Sequence, residues 1–181
     1  MRIIGGALKG RRFTPPAKNW PTRPTTDYAK EGMYNVLQNL ISFDEIIFLD
    51  LFGGTGNHCY EMYSRGCRNM TYVDRHRPCI RFVQETAQQF GMEEYIDIIL
   101  SDVFKYLKRN RKSYDLVFAG PPYPLKDIPL LPALILPHLS ENGLLILEHN
   151  PNHNFEQEGG FWRMKNYGTT IFSFFKTGIM H

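Results

Sequence analysis

The sequence predicts an α/β fold built on a mostly parallel, seven-stranded sheet that closes with an antiparallel hairpin. Three observations predict it. Short apolar runs of strand length alternate with stretches whose apolar residues recur at helical spacing, the pattern of strands joined by helical crossovers. The first run, 46–50, opens into a glycine-rich turn, Gly53-Gly54-Thr55-Gly56, and then into a helix-like stretch. That is how an α/β domain makes a nucleotide site. Near the end, 161–165 and 169–175 flank Asn166-Tyr167-Gly168 and read as a hairpin.

Taken in order, residues 2–13 form a short hairpin with Gly5-Gly6 and Lys9-Gly10 as turn material. Residues 14–26, with Pro15, Pro16, Pro21 and Pro24, are an extended connector. Thr26 or Asp27 caps a helix whose apolar positions, Met33, Val36, Leu37 and Leu40, share one face. Strand 46–50 leads to a helix over 57–65, with Cys59, Met62 and Tyr63 on one side and Gly66 past its end. Strand 70–74 precedes a helix over 78–90, which has Pro78 in its first turn and Gly91 beyond it. Strand 96–100, a short helix 102–109 and strand 114–118 follow. The stretch 130–139 is apolar but interrupted by Pro132 and Pro137, so its helix is short or irregular. Strand 143–148 precedes the hairpin. The expected division is an N-terminal hairpin, connector and helix over 1–45 and a main domain over 46–181.

Bulk properties narrow the function. With 43% hydrophobic and 22% charged residues in 181, the chain has the composition of a folded domain with a real core. No apolar run reaches the ~20 residues that span a bilayer. No apolar h-region follows Met1, so no membrane partner and a cytoplasmic setting are expected. Cys59, Cys67 and Cys79 lack the spacing of a zinc site, and Pro151 separates His149 from His153, so no metal is expected. Charge is unevenly placed. Six of the 21 basic residues, Arg2, Lys9, Arg11, Arg12, Lys18 and Arg23, precede Asp27, and none of the 18 acids does. A basic arm on a mildly acidic body suits a polyanion, although it also suits a solvated hairpin.

The glycine turn departs from the dinucleotide fingerprint, since Cys59 stands at its third glycine. Asp74 closes the next strand, where a carboxylate accepts ribose hydroxyls or merely caps a turn. Asp50 stands just before the turn. It suits a ligand bearing an ammonium and a sulfonium, and would repel a pyrophosphate. Asp102 is placed to accept from an adenine amine or to cap the following helix. At the end of the fourth strand, Gly120-Pro121-Pro122-Tyr123 holds an aromatic on a stiff loop, fit to stack on a planar base.

The run from Arg2 to Arg12, the segment Arg23-Pro24-Thr25-Thr26-Asp27, the glycine turn, Pro121-Pro122-Tyr123 and Glu148-His149 occur in that order. Together they resemble the RsmD family, whose members methylate the exocyclic N2 of a guanine in bacterial 16S ribosomal RNA. The resemblance spans residues 2 to about 175. It implies the class I S-adenosylmethionine-dependent methyltransferase fold, S-adenosylmethionine as donor, and 16S rRNA or the small ribosomal subunit as partner. By position it implies that Asp50, Gly53, Gly54 and Gly56, with Thr55 and Asn57, hold the methionine end. Asp74 with Arg75 would take the ribose, and Asp102 and Val103 the adenine. Thr25 would lie near the cofactor mouth, and Arg2, Lys9, Arg11, Arg12, Lys18 and Arg23 on RNA phosphates. Gly120, Pro121, Pro122 and Tyr123 would form the catalytic loop.

The chain departs from the family at the first residue of that loop, where Gly120 replaces an Asp or Asn that accepts from the target amine. Backbone carbonyls remain, and transfer is expected to be weakened. Other acceptors on the same fold, a DNA adenine or a protein glutamine, stay open. So does a cofactor- and RNA-binding protein without turnover. A nicotinamide enzyme is the most distant alternative.

Overall fold

The computed structural model describes residues 1–16, 20–21 and 23–178. Its centre is a seven-stranded sheet in the order β3-β2-β1-β4-β5-β7-β6. The strands are β1 (Phe48–Leu51), β2 (Met70–Asp74), β3 (Ile96–Leu100), β4 (Tyr114–Ala119), β5 (Leu139–His149), β6 (Phe161–Tyr167) and β7 (Thr170–Lys176). β1 through β5 pair in parallel, and β7 runs antiparallel to both β5 and β6. Strand order reverses between β1 and β4, so loops leaving these neighbours diverge and open a crevice at their carboxyl ends.

Helices α1 (Asp27–Leu37), α2 (Asn57–Ser64), α3 (Arg77–Phe90), α4 (Val103–Arg109) and α5 (Leu131–Ile135) cover the sheet. The apolar alternation of the strands divides the core in two. Phe48, Phe118, Ile146 and Phe174 face α1, α2 and the N-terminal loop, where Ile3, Met33, Tyr34 and Tyr60 are buried with them. Leu49, Val117, Leu145 and Leu147 face α4 and α5. Among the described residues, no helix is long and apolar enough to cross a membrane.

Several boundaries differ from expectation. β1 begins two residues later than predicted and includes Leu51, which places Asp50 inside the strand. α1 ends at Leu37, leaving Leu40 40% exposed in the following turn. The N-terminal hairpin is present but short: Arg2 and Arg12 form an antiparallel bridge, Ile3 N–H donates to the Arg11 carbonyl and Phe13 N–H to the Met1 carbonyl. Its turn also docks on α2: Ala7 N–H donates to the Ser64 carbonyl and Leu8 N–H to Ser64 Oγ. The terminal hairpin turns at Gly168-Thr169, with Gly168 at φ 70 supplying the left-handed residue a two-residue connection needs. The 130–139 stretch is a single α-helical turn flanked by 3-10 turns, each with a proline near its start.

Buried charge fastens the N-terminal segment. Lys30, on α1, is fully buried and donates to the Arg2 carbonyl at 2.6 Å, to Asn57 Oδ1 at 2.7 Å and to Glu61 at 3.1 Å. The Glu61 carboxylate also accepts from the N–H groups of Ile4 and Gly5 and from Arg65. A buried pair is tolerable only when its remaining hydrogen-bonding capacity is satisfied, and these partners satisfy it.

Candidate active site

The glycine turn follows β1 through left-handed residues, Phe52 at φ 57, Gly54 at φ 56 and Gly56 at φ 79. β2 braces it: Gly53 N–H donates to the Val73 carbonyl, and Tyr72 Oη donates to the Gly54 carbonyl at 2.6 Å. Asp74 accepts from Gly54 N–H at 3.0 Å and from His76 N–H at 2.8 Å, with His76 Nδ1 at 2.9 Å. Oδ1 carries both His76 contacts and Oδ2 the Gly54 one, which leaves a lone pair to spare on Oδ2. Asp74, His76 and Cys79 are the one trio of possible metal ligands, within 4.8 Å of one another, among the described residues.

A cavity of about 630 Å³, within the usual range for small-molecule sites, lies where the strand order reverses. Of the residues expected at a cofactor, Asp50, Gly53, Gly54, Thr55, Asn57, Asp74, Arg75, Asp102, Val103 and Thr25 all line it. Gly56 does not. It precedes α2, where a Cβ would lie 2.6 Å from Tyr60 Oη, so its lack of a side chain serves the helix start. Asp102 caps α4 through Lys105 N–H at 3.0 Å and lines the cavity at the same time.

Asp50 is 1% exposed, and its one hydrogen-bond partner among the described residues is the Cys59 thiol at 3.5 Å. Burial pushes its pKa up to about 8, which the thiol opposes and the nearby carboxylates of Asp74 and Glu148 reinforce. No salt bridge among the described residues includes it. A buried acid with no cationic partner among the described residues is what a cationic ligand would complete.

Gly120, Pro121, Pro122 and Tyr123 form the opposite wall. The Arg23 guanidinium lies 5.2 Å from the centre of the Tyr123 ring, so the connector meets the loop after β4 at the cavity. Sequence reasoning did not place two residues of this wall in the site. Glu148, 6% exposed, accepts from Thr25 Oγ1 at 2.7 Å, and His58 Nε2 lies 3.1 Å from that hydroxyl. Their signal was positional: Glu148 ends a central strand, and His58 opens the helix after the glycine turn.

The other basic residues are dispersed. Arg2 pairs with Asp27 on the surface at 3.0 Å, and Arg11 lies over the Phe90 ring at 5.0 Å. Lys9 and Arg12 are exposed, and Lys18 lies outside the described residues. Among the described residues of this set, only Arg23 lines the cavity.

The family model described as Conserved hypothetical protein 95 matches residues 1–176. The chain is 30% identical to a putative rRNA methyltransferase, YlbH, of Bacillus subtilis, over 97% of this chain and 98% of that protein. It is 27% identical to ribosomal RNA small subunit methyltransferase D of Buchnera aphidicola, over 85% and 78%. Among solved structures it is similar to the putative methyltransferase yhhF from Escherichia coli, with a TM-score of 0.83 and 22% identity over 97% of each chain.

Proposed function

The chain belongs to the Conserved hypothetical protein 95 family, the RsmD family, and from that premise we propose an S-adenosylmethionine-dependent methyltransferase acting on the exocyclic N2 of a guanine in 16S ribosomal RNA. The observation that carries the donor is Asp50, a buried carboxylate lining the cavity and lacking a cation. S-adenosylmethionine, when bound, supplies an electrophilic methyl on a sulfonium. Asp50, once ionised, holds the cationic methionine end. Asp74 accepts from the ribose on the lone pair that Oδ2 keeps free, with Arg75 beside it, and Asp102 and Val103 border the adenine. Glycines 53 and 54 let the backbone approach closely, with Thr55 and Asn57 at the same turn.

A guanine amine is a poor nucleophile, because its lone pair is delocalised into the ring. Rate therefore comes from placement and from acceptors on the amino hydrogens. The stiff Pro121-Pro122 loop fixes Tyr123 as a stacking platform for a base taken out of its helix. Arg23 stands behind that ring and is placed to meet an RNA phosphate, with Arg2, Lys9, Arg11, Arg12 and Lys18 as further phosphate contacts. Carbonyls of the loop, such as that of Gly120 or Pro121, accept from the amine. A ribosomal substrate also implies work in the cytoplasm.

The test is transfer of labelled methyl from S-adenosylmethionine to undermethylated small-subunit particles and to naked 16S rRNA, followed by digestion to nucleosides. Label in N2-methylguanosine is the expected result. Label in an adenine or in protein would redirect the reading to another acceptor. Binding of the subunit with no transfer in a single turnover would mark a protein without activity, the outcome that Gly120 makes worth measuring.

A further inference from the structure

Gly120 removes a side chain from the acceptor position, yet the cavity wall there is not bare. Ala119 on β4 pairs with Leu147 on β5, so Gly120 and Glu148 are the next residues along adjacent parallel strands. Residues at matched register on parallel neighbours face the same side of a sheet. A Cβ at position 120 would lie 2.9 Å from Phe118 Cε1 and 3.9 Å from Glu148 Oε2. The first distance means that the Phe118 ring occupies room a side chain at 120 would need. The second means that a carboxylate oxygen already stands beside that space.

We propose that Glu148 is the side-chain acceptor for the target amine, delivered from β5 to the position that residue 120 leaves empty. The inference rests on the methyltransferase reading above. Hydrogen bonding settles which oxygen is free. Thr25 Oγ1 donates its one proton to Glu148 Oε1 at 2.7 Å, so it accepts from His58 Nε2 at 3.1 Å. His58 Nδ1 then accepts from Tyr34 Oη at 3.2 Å. The ring is neutral, as the chain of bonds requires, because burial and the nearby Lys30 hold its pKa down to about 3. This chain of donors fixes the carboxylate through Oε1. Oε2 has no hydrogen-bond partner among the described residues, and Glu148 lines the cavity.

The step balances simply. The amine lone pair forms the new N–C bond as the methyl's bond to sulfur breaks, and that electron pair stays on sulfur. The proton shed by nitrogen passes to Oε2 and on to water. Charged or titratable groups facing Glu148 are Asp50 from β1, His58 from α2, Arg23 from the connector and Tyr123 from the catalytic loop. Burial raises the Glu148 pKa, against the pull of Thr25 and Arg23, which makes its carboxylate a better proton acceptor.

The experiment measures single-turnover transfer to small-subunit RNA by the native protein, Glu148→Gln and the double variant Glu148→Gln with Gly120→Asp. S-adenosylhomocysteine binding and thermal unfolding are followed in parallel. Glu148→Gln is expected to lose about 100-fold in rate, the scale of one positioned polar group, while ligand affinity and unfolding temperature hold. At saturating donor, the acid limb of its pH–rate profile should vanish. The double variant should regain part of the loss, since a carboxylate returns from β4 once the Phe118 ring turns aside to admit it. Transfer by Glu148→Gln within about threefold of a native protein that is active would overturn the proposal and leave the methyltransferase reading standing. A native protein inert on every small-subunit substrate would overturn both. Should Glu148→Gln not fold, Thr25→Val decides: a slower transfer step at unchanged ligand affinity supports the proposal, and an unchanged rate overturns it.

Discussion

Asp50 couples ligand binding to protons. With its folded pKa at about 8, it is largely protonated at pH 7 in the free protein, and a cation beside it draws the proton off. Calorimetric titration of S-adenosylmethionine at pH 7, in two buffers of different ionisation enthalpy, should show net proton release that Asp50→Asn abolishes together with most of the affinity. Stability carries the same sign. A carboxylate whose pKa rises on folding contributes fully below its unfolded pKa, and loses that contribution as pH climbs through about 8. Native protein should therefore melt progressively lower from about pH 4 to about pH 8 and level off above, and Asp50→Asn should flatten this part of the trend. Each kcal/mol recovered at the high end is worth roughly 2–4 °C. Asp50 was legible in the sequence because a lone acid ahead of a glycine turn is conspicuous. Glu148 was not, because its meaning depends on facing Gly120 across two strands, and register between β4 and β5 is written in no local pattern. Phe118 likewise gave no hint that its ring fills the space of a missing neighbour.

At the scale of elements, the alternation of apolar runs identified every strand and the terminal hairpin, since each buried run is bounded by turn residues. What it misplaced were ends. Leu40 fits the helical period of α1 but lies beyond its last turn, because burial ends at Leu37. The N-terminal hairpin was legible as a turn, but its docking on α2 was not. Its glycines serve an approach to another element and not only a turn of their own. Gly6, at φ 77, stands so close to the Ser64 carbonyl that a Cβ would collide with it. Gly6→Ala should thus cost about 2 kcal/mol or more, read by denaturant unfolding. Gly10→Ala is the control, because it shares a positive φ but has nothing within 4 Å of its would-be Cβ. A smaller cost at Gly6 than at Gly10 would mean that the docking on α2 is not rigid.

Across the whole molecule, the uneven charge of the sequence translates into a graded surface and not a single basic groove. Arg23 lines the cavity, Arg2 is neutralised by Asp27, and Arg11 rests on an aromatic ring. RNA binding should reflect that ranking. Arg23→Ala and Arg12→Ala should each lower the slope of log affinity against log salt by about 0.7–0.9 if the residue meets a phosphate, and Arg2→Ala by less. Arg23→Ala should also slow transfer, because Tyr123 loses its cationic backing. Equal slopes for all three variants would show that the arm does not discriminate. The anchoring of that arm has a temporal consequence as well. Ile4 and Gly5 are made well before their partners Glu61 and Ser64, which lie more than fifty residues further along the chain. Until α2 is synthesised, Lys30 also has no Glu61 to neutralise it. A segment made before its partners is therefore among the last able to settle, and its docking waits until α2, which follows the glycine turn, exists.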